Sequence, residues 1–432
     1  MTLKFAHITD CHLGSWRNPK LRELNLKAFE ESISICIHEH VNFIVVTGDF
    51  FDVNVPDLAP VKRAVEILRD ARSKGIEIYM IYGSHDFTAN SVSIIDILHS
   101  AGLFIKPVEF EQNNNRIRLK FSQDAKTLIK ITGLSGRKIG LDLEYYKMLD
   151  LGVLESEEGF KIFLFHAPIT EFTPIELAHG DMVPFSLLPK GFKYYGGGHL
   201  HKRLEKKFDE NSMLAYPGPL FGSTFTDLEN TAEGEKRGFY IVDLSTNTVK
   251  AHFTEVKVAD FVFKKIDANQ KTAKQVDDEI SSLIETLDAA NKIVLLKVKG
   301  ILSSGKRSDI NFSRFEELLR NKGAIVSFMN RSSLTSAETF QLKVIGESVE
   351  DIEKRIVKER IASFKLDPSI SDDKVKNFVN SKFIAEKGQN TARALLHVLK
   401  KGKLENENNN DYSTRMIDDV ISLLEFKDLF NN

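Results

Sequence analysis

The chain has 432 residues, of which 42% are hydrophobic and 28% charged, proportions that exclude a largely disordered polymer and predict two or three packed units. Its 59 basic and 61 acidic side chains leave a formal net charge of -2, so any surface for a polyanion must be local. Two cysteines, Cys11 and Cys36, exclude a disulfide framework and a thiolate zinc site, and each is expected as a buried thiol.

In chain order, Leu3 to Thr9 reads as a buried strand that starts almost at Met1. No run of about 18 apolar residues occurs, which predicts a cytoplasmic protein with no membrane span. Phe43 to Thr47, Ile76 to Tyr82, Lys161 to Phe165 and Phe192 to Tyr195 are further short apolar runs of strand type. Asp57 to Lys74, with proline near its start and glycine beyond its end, predicts a helix between two of them. Gln112 to Asn115 predicts a hairpin turn, because asparagine tolerates positive φ. Strands alternating with helices predict an α/β layered domain over roughly the first 250 residues. From Tyr240 to Val256 the order becomes strand, turn, strand, and a smaller α/β unit follows. Its first helix aligns Val276, Ile280, Leu283, Ile284 and Leu287 on one core-facing stripe, and Ile293 to Val298 returns as a strand. Beyond Val349 the chain reads as helical, with Ala392, Leu395, Leu396 and Leu399 on one face. Glu405 to Asn410 is a polar linker, and Ile417, Val420, Ile421 and Leu424 predict a last amphipathic helix. That helix folds back on its own chain or docks on a partner.

The polar residues that end the strands form one set: Asp10 with His12, Asp49, Ser84 with His85, His166, and His199 with His201. In an open α/β sheet such residues converge where strand carboxyl ends open into loops. Asp10 and His12, two apart in an extended turn, are expected to share a side. Gly48 lets the chain bend before Asp49, whose charged carboxylate can bridge two ions, and Gly196 to Gly198 gives a flexible approach to two imidazoles. Nitrogen and oxygen donors together suit manganese, iron or zinc better than calcium. One such fragment is weak, but five in order predict a metal site; His7, His38, His40, His99, His179, His252 and His397 are expected to be structural.

This ordered set resembles the calcineurin-like metallophosphoesterase superfamily over about residues 1–225. His7-Ile8-Thr9-Asp10-Cys11-His12-Leu13-Gly14, Gly48-Asp49-Phe50-Phe51-Asp52 and Tyr216-Pro217-Gly218 are similar, within it, to the SbcD-type nucleases of DNA double-strand-break repair. The resemblance implies a layered β-sandwich flanked by helices, divided as a nuclease core (1–255), a small α/β capping domain (256–345), a helical region (346–404) and a linker with a partner-binding helix (405–432). It implies two manganese ions, with magnesium, iron or zinc as alternatives. Asp10, His12 and His201 would hold the first ion, His166 and His199 the second, and Asp49 would bridge, leaving His85 as the catalytic imidazole that protonates the leaving oxygen. Ser84 stands where the superfamily usually has asparagine, and its shorter hydroxyl is a poorer ligand. Asp52 stands where some members have a histidine near the substrate phosphate. The resemblance also implies a cytoplasmic, nucleoid-associated homodimer that works with an SMC-like coiled-coil ATPase through its C-terminal helices. Arg17, Lys20, Arg137, Lys138, Lys202 and Arg203, with Lys206 and Lys207, are the basic loop residues near these motifs and are candidates for DNA phosphates. The rival readings are a small-molecule phosphodiesterase with the same metals and a non-catalytic repair scaffold whose second metal position has decayed at Ser84.

Overall fold

The computed structural model describes residues 3–86, 92–113, 116–136, 142–174, 177, 182–209, 211–244, 248–336, 357, 385–402 and 409–424. The chain divides into two compact units, 1–337 and 338–432.

The first unit opens with β1 (Lys4–Ile8), α1 (Pro19–His38), β2 (Phe43–Thr47), α2 (Leu58–Ser73), β3 (Glu77–Ile81) and α3 (Ile94–Ser100). A hairpin of β4 (Phe110–Asn113) and β5 (Arg116–Leu119) follows, then β6 (Ser122–Gln123), β7 (Lys130–Leu134), α4 (Asp142–Lys147) and α5 (Leu151–Ser156). Next come β8 (Lys161–His166), β9 (Tyr194–Gly198), β10 (Leu204–Asp209), β11 (Ser212–Tyr216) and α6 (Phe225–Ala232). The chain continues through β12 (Gly238–Asp243), β13 (Lys250–Glu255), β14 (Asp260–Asp267), α7 (Ala273–Thr286), β15 (Lys292–Leu302), α8 (Phe312–Asn321), β16 (Val326–Asn330) and β17 (Leu334–Ser336).

Local chemistry sets several of these bounds. Asn18 caps α1 by accepting from the N–H groups of Lys20 and Leu21, and Pro19 supplies the fixed φ of a first helical residue. Helix α2 buries Pro60, Val61, Ala64, Ile67, Leu68 and Ala71, a stripe at helical spacing, and stops before Gly75 at φ +77°. Strands β4 and β5 pair from Phe110↔Leu119 to Asn113↔Arg116, so the predicted hairpin exists, while its two turn residues lie outside the described residues.

Two sheets face one another. The first has the order β13-β12-β1-β2-β3 and the second β10-β11-β9-β8-β7-β6. Strand alternation fixes which residues lie between them: Phe5, Phe43, Val45, Tyr79 and Ile81 meet Ile131, Ile162, Leu164, Tyr194 and Met213. The alternate residues Ala6, Ile8, Ile44 and Val46 face the helical layer. Burial of each of these large apolar side chains contributes about 1.5–3 kcal/mol. Parallel β1, β2 and β3 in one sheet and β7, β8 and β9 in the other end at the same edge of the sandwich.

The triglycine Gly196 to Gly198 is not a flexible approach. It is buried strand within β9. A Cβ on Gly197 would lie 2.6 Å from the Tyr216 ring and 2.7 Å from Phe165, and one on Gly198 would lie 2.0 Å from the Thr47 carbonyl oxygen. Close packing, not mobility, requires glycine here.

Parallel strands β14, β15 and β16, with β17 beside β15, form a smaller sheet backed by α7 and α8. It is fastened to the core through α6: Phe225 and Phe328 pack edge to face at 5.7 Å, Lys297 pairs with Glu229 at 2.7 Å, and Lys265 pairs with Glu233. Trp16 packs on Phe328 and donates to the Gly222 carbonyl at 3.0 Å.

In the second unit, α9 (Ala385–Leu399) and α10 (Asn409–Leu424) pack on one another. Lys401 pairs with Asp419 at 2.8 Å, and the Tyr412 hydroxyl donates to the Lys401 carbonyl. Helix α10 starts inside the expected linker, at Asn409. The rest of the expected helical region, apart from Val357, lies outside the described residues. No helix among the described residues is long and apolar enough to cross a membrane.

Candidate metal centre

At the shared sheet edge the chain reverses sharply after β1, β2 and β9. Asp10 (φ +47°), His12 (φ +43°), Asp49 (φ +47°) and His199 (φ +89°) all adopt left-handed backbone, which side-chain-bearing residues rarely do. Asp10 and His12 therefore converge through a left-handed reversal and not through the extended turn expected of them. Four such residues together amount to roughly 1–3 kcal/mol of strain each, which the surrounding packing must offset.

Asp49 is the hinge of the arrangement. Its Oδ2 lies 3.2 Å from Nε2 of His166 and 3.8 Å from Nε2 of His12, while Oδ1 accepts from the His85 N–H at 2.8 Å. Asp10, His12 and His201 place ligand atoms within 4.8 Å of one another, as do Asp10, Asp49 and His166. His199 belongs to neither group, though its ring lies 5.3 Å from that of His166 and its N–H donates to both oxygens of Asp10. The third group is His12, Asp52 and His85. Ser84 Oγ reaches Asp49 Oδ2 at 3.4 Å.

Tautomers follow from the partners. His166 Nδ1 donates to the Thr47 carbonyl at 2.7 Å, so in a neutral ring Nε2 carries only a lone pair, aimed at a carboxylate oxygen. Nε2 is buried and makes no hydrogen bond. That repulsive pairing needs a positive charge between its members, either a proton or a cation. Burial alone would depress the His166 pKa, but Asp49, with Asp10 and the Thr47 carbonyl, pushes it up to about 10. His12 is likewise raised against the effect of burial, by Asp52, Asp49 and Asp10. His201 Nδ1 donates to Asp227 Oδ2 at 3.0 Å, which leaves its Nε2 as the lone-pair nitrogen, 3.1 Å from Nε2 of His12. With Asp10, His12, Asp49 and His166 buried and His201 and His199 at its open side, this set of carboxylates and imidazoles fits divalent cations bound through mixed nitrogen and oxygen donors.

Several partners carry no motif. Asp86 accepts from the N–H groups of Phe50, Phe51 and Gly83, clamping the loops after β2 and β3, and burial followed by the Asp49 charge pushes it up to about 7. Burial alone would raise the Asp227 carboxyl, but His201 and then Arg237 hold it well below the usual range. Arg237, itself buried, donates to the carbonyls of His201 and Asp227. His7 bridges Tyr194 and Thr47 at 2.8 Å each, one layer beneath His166; burial lowers it to about 3, so it is a neutral strut between the sheets. Gly136 approaches the His166 ring so closely that a Cβ would lie 2.7 Å away.

His85 stands exposed at the rim, its ring edge-on to His12 at 4.9 Å. Its Nδ1 donates to the Asp52 carbonyl at 2.5 Å, so Nε2 is the nitrogen available for proton transfer.

Residues 3–203 match the family model described as calcineurin-like phosphoesterase. This stretch is similar to the calcineurin-like phosphoesterases. The enzyme is thus a metal-dependent phosphoesterase. The chain is similar to the DNA double-strand break repair protein Mre11 of Archaeoglobus fulgidus, 23% identical over 82% of this chain and 80% of that protein. It resembles the protein of the same name from Sulfolobus acidocaldarius, with 26% identity over 73% of this chain and 79% of the relative. The uncharacterized metallophosphoesterase YhaO of Bacillus subtilis is 25% identical over 67% of this phosphoesterase and 69% of its own length.

Of the basic residues expected near the site, Arg17, Lys20, Lys202 and Arg203 are exposed, and Arg203 lies over the Phe253 ring at 4.5 Å. Arg137 and Lys138 lie outside the described residues.

Proposed function

We propose that the chain is a two-metal DNA nuclease that hydrolyses phosphodiester bonds during double-strand-break end processing. The observation that carries this reading is a single carboxylate oxygen, Asp49 Oδ2, standing between the metal-facing nitrogens of His12 and His166. One anionic oxygen between two imidazoles is what a pair of bridged cations needs. Asp10, His12 and His201 would hold one ion, and His166 and His199 the other, with Ser84 beside the second. Manganese is the expected metal, ahead of magnesium, iron and zinc. When bound, the pair supplies Lewis acidity to a phosphodiester and brings a water into its nucleophilic range near neutral pH.

The chain's own groups do the rest. Asp227 orients the His201 ring, Asp52 stands beside His12, and His85 presents Nε2 to protonate the leaving oxygen. Arg17, Lys20, Lys202 and Arg203 contribute non-specific contacts to backbone phosphates. The choice of DNA over a small diester rests on relatives named for double-strand-break repair. On the same ground, residues 1–255 are the nuclease core and 256–345 its capping domain. Residues 346–404 and 405–432 are the segments that grip an SMC-like coiled-coil ATPase, and the working form is a dimer in the cytoplasm at the nucleoid. Exposed Leu396, Leu399 and Ile417 on α9 and α10 are consistent with a partner surface.

Labelled duplex and single-stranded DNA, incubated with manganese beside a chromogenic diester, test the reading. DNA cleavage supports it, and cleavage of the diester alone refutes it. His85→Ala is expected to retain both ions in a manganese titration while losing cleavage by about 100-fold or more. Loss of an ion from that variant would instead make His85 a ligand.

A further inference from the structure

The groups around the two proposed cation positions are unequal in a way that the donor list alone does not reveal. Behind each imidazole of the first position stands a carboxylate. Asp227 Oδ2 accepts from Nδ1 of His201 at 3.0 Å, and Asp52 Oδ1 lies 3.2 Å from Nδ1 of His12, close enough for charge pairing though without a hydrogen bond. An anionic partner on the far nitrogen orients the ring and makes its other nitrogen a stronger donor. His166, at the second position, is backed only by the neutral Thr47 carbonyl. Among the described residues neither ring nitrogen of His199 makes a hydrogen bond, and His199 is exposed where Asp10 and His12 are buried. Ser84 offers a neutral hydroxyl, 3.4 Å from Asp49 Oδ2.

We propose that the two positions are graded: the one formed by Asp10, His12 and His201 retains its ion, whereas the one formed by His166, His199 and Ser84 exchanges it with the medium. The inference rests on the two-metal reading and adds its regulation. Free divalent metal, rather than a protein partner alone, then decides how much of the enzyme carries both ions. Asp52 becomes a positioning residue for His12, and Ser84 sets the level of metal at which the second position fills.

The full-length protein, stripped with a chelator and dialysed, is titrated with Mn2+ alone while the resonance of the free ion and the heat of binding are followed. Two ions per chain are expected, in steps whose dissociation constants differ by tenfold or more. Ser84→Asn, which extends an amide oxygen towards the second position, tightens the weaker step by about tenfold and leaves the tighter one unchanged. Asp52→Ala weakens the tighter step by about 10- to 100-fold. His199→Ala, an independent route should the serine variant fold poorly, removes the weaker step only. Two ions binding with equal affinity, or His199→Ala erasing the tighter step, would overturn the grading and leave the two-metal reading intact. One ion at saturation would overturn both.

Discussion

Replacing Asp227 with asparagine isolates what the carboxylate behind His201 contributes. Asp227 Oδ2 accepts from His201 Nδ1 and from the N–H groups of Ser223 and Thr224, each at 3.0 Å. An amide oxygen keeps the acceptor for those backbone groups, so the turn into α6 survives. The charge is what disappears. Hydrogen bonds to an ionised acceptor are about twice as strong as neutral ones, and removing such a partner from a ligating histidine weakens metal binding about 10- to 100-fold. That range corresponds to about 1.4–2.8 kcal/mol. Direct titration of the metal-free variant with Mn2+ reads the loss, and thermal unfolding of the metal-free wild type and variant checks that the fold is shared. The loss is expected in the tighter binding step. Unchanged affinity in a folded Asp227→Asn protein, or a loss confined to the weaker step, would refute the assignment of His201 as a ligand oriented by Asp227.

Three further outcomes follow. Gly198→Ala places a methyl group 2.0 Å from the Thr47 carbonyl and 2.6 Å from His166 Nδ1; a destabilisation of about 3 kcal/mol or more is expected in chemical denaturation, and a loss below 1 kcal/mol would show that β2 and β9 can separate cheaply. His166, pushed up to about 10, is protonated at pH 7 in the metal-free protein. Filling its position must therefore expel about one proton, and metal affinity should rise with pH until about 10. Calorimetry in two buffers of different ionisation enthalpy measures that proton, and its absence would contradict the protonated state of His166 in the metal-free protein. Deleting Asp411 to Asn432 is expected to weaken binding to the coiled-coil ATPase while preserving intrinsic DNA cleavage. Unchanged binding would place the docking surface elsewhere.

The candidate site residues form a legible set because most of them lie at or just past a strand end, so that local pattern and topology carry the same information. Gly48-Asp49 and Gly198-His199-Leu200-His201 announce themselves by glycine at a strand exit, and the sheet order then brings them together. The reason for those glycines was misread at β9, since a three-glycine run looks flexible until the neighbouring Tyr216 and Phe165 rings are known. Asp227, Arg237 and His7 were illegible for a different reason. Each is one polar residue with a partner far along the chain, 26 positions for Asp227 and His201, 36 for Arg237 and the His201 carbonyl, and 187 for His7 and Tyr194, and no periodicity reports such a pairing. The left-handed backbone at Asp10, His12 and Asp49 was hidden too, because aspartate and histidine visit positive φ only occasionally and most of them in a chain do not.

Helix α6 is only eight residues long, yet it carries Asp227 towards His201 and, within two turns, Phe225, Glu229 and the adjoining Glu233 towards the smaller sheet. The fastening of that sheet and the donor strength of His201 are thus two readings of one helix position. If His201 holds the proposed first ion, linkage makes such a connection reciprocal: a load on the smaller sheet that displaces α6 would alter the hold on that ion, and the bound ion would oppose the displacement by the same free energy.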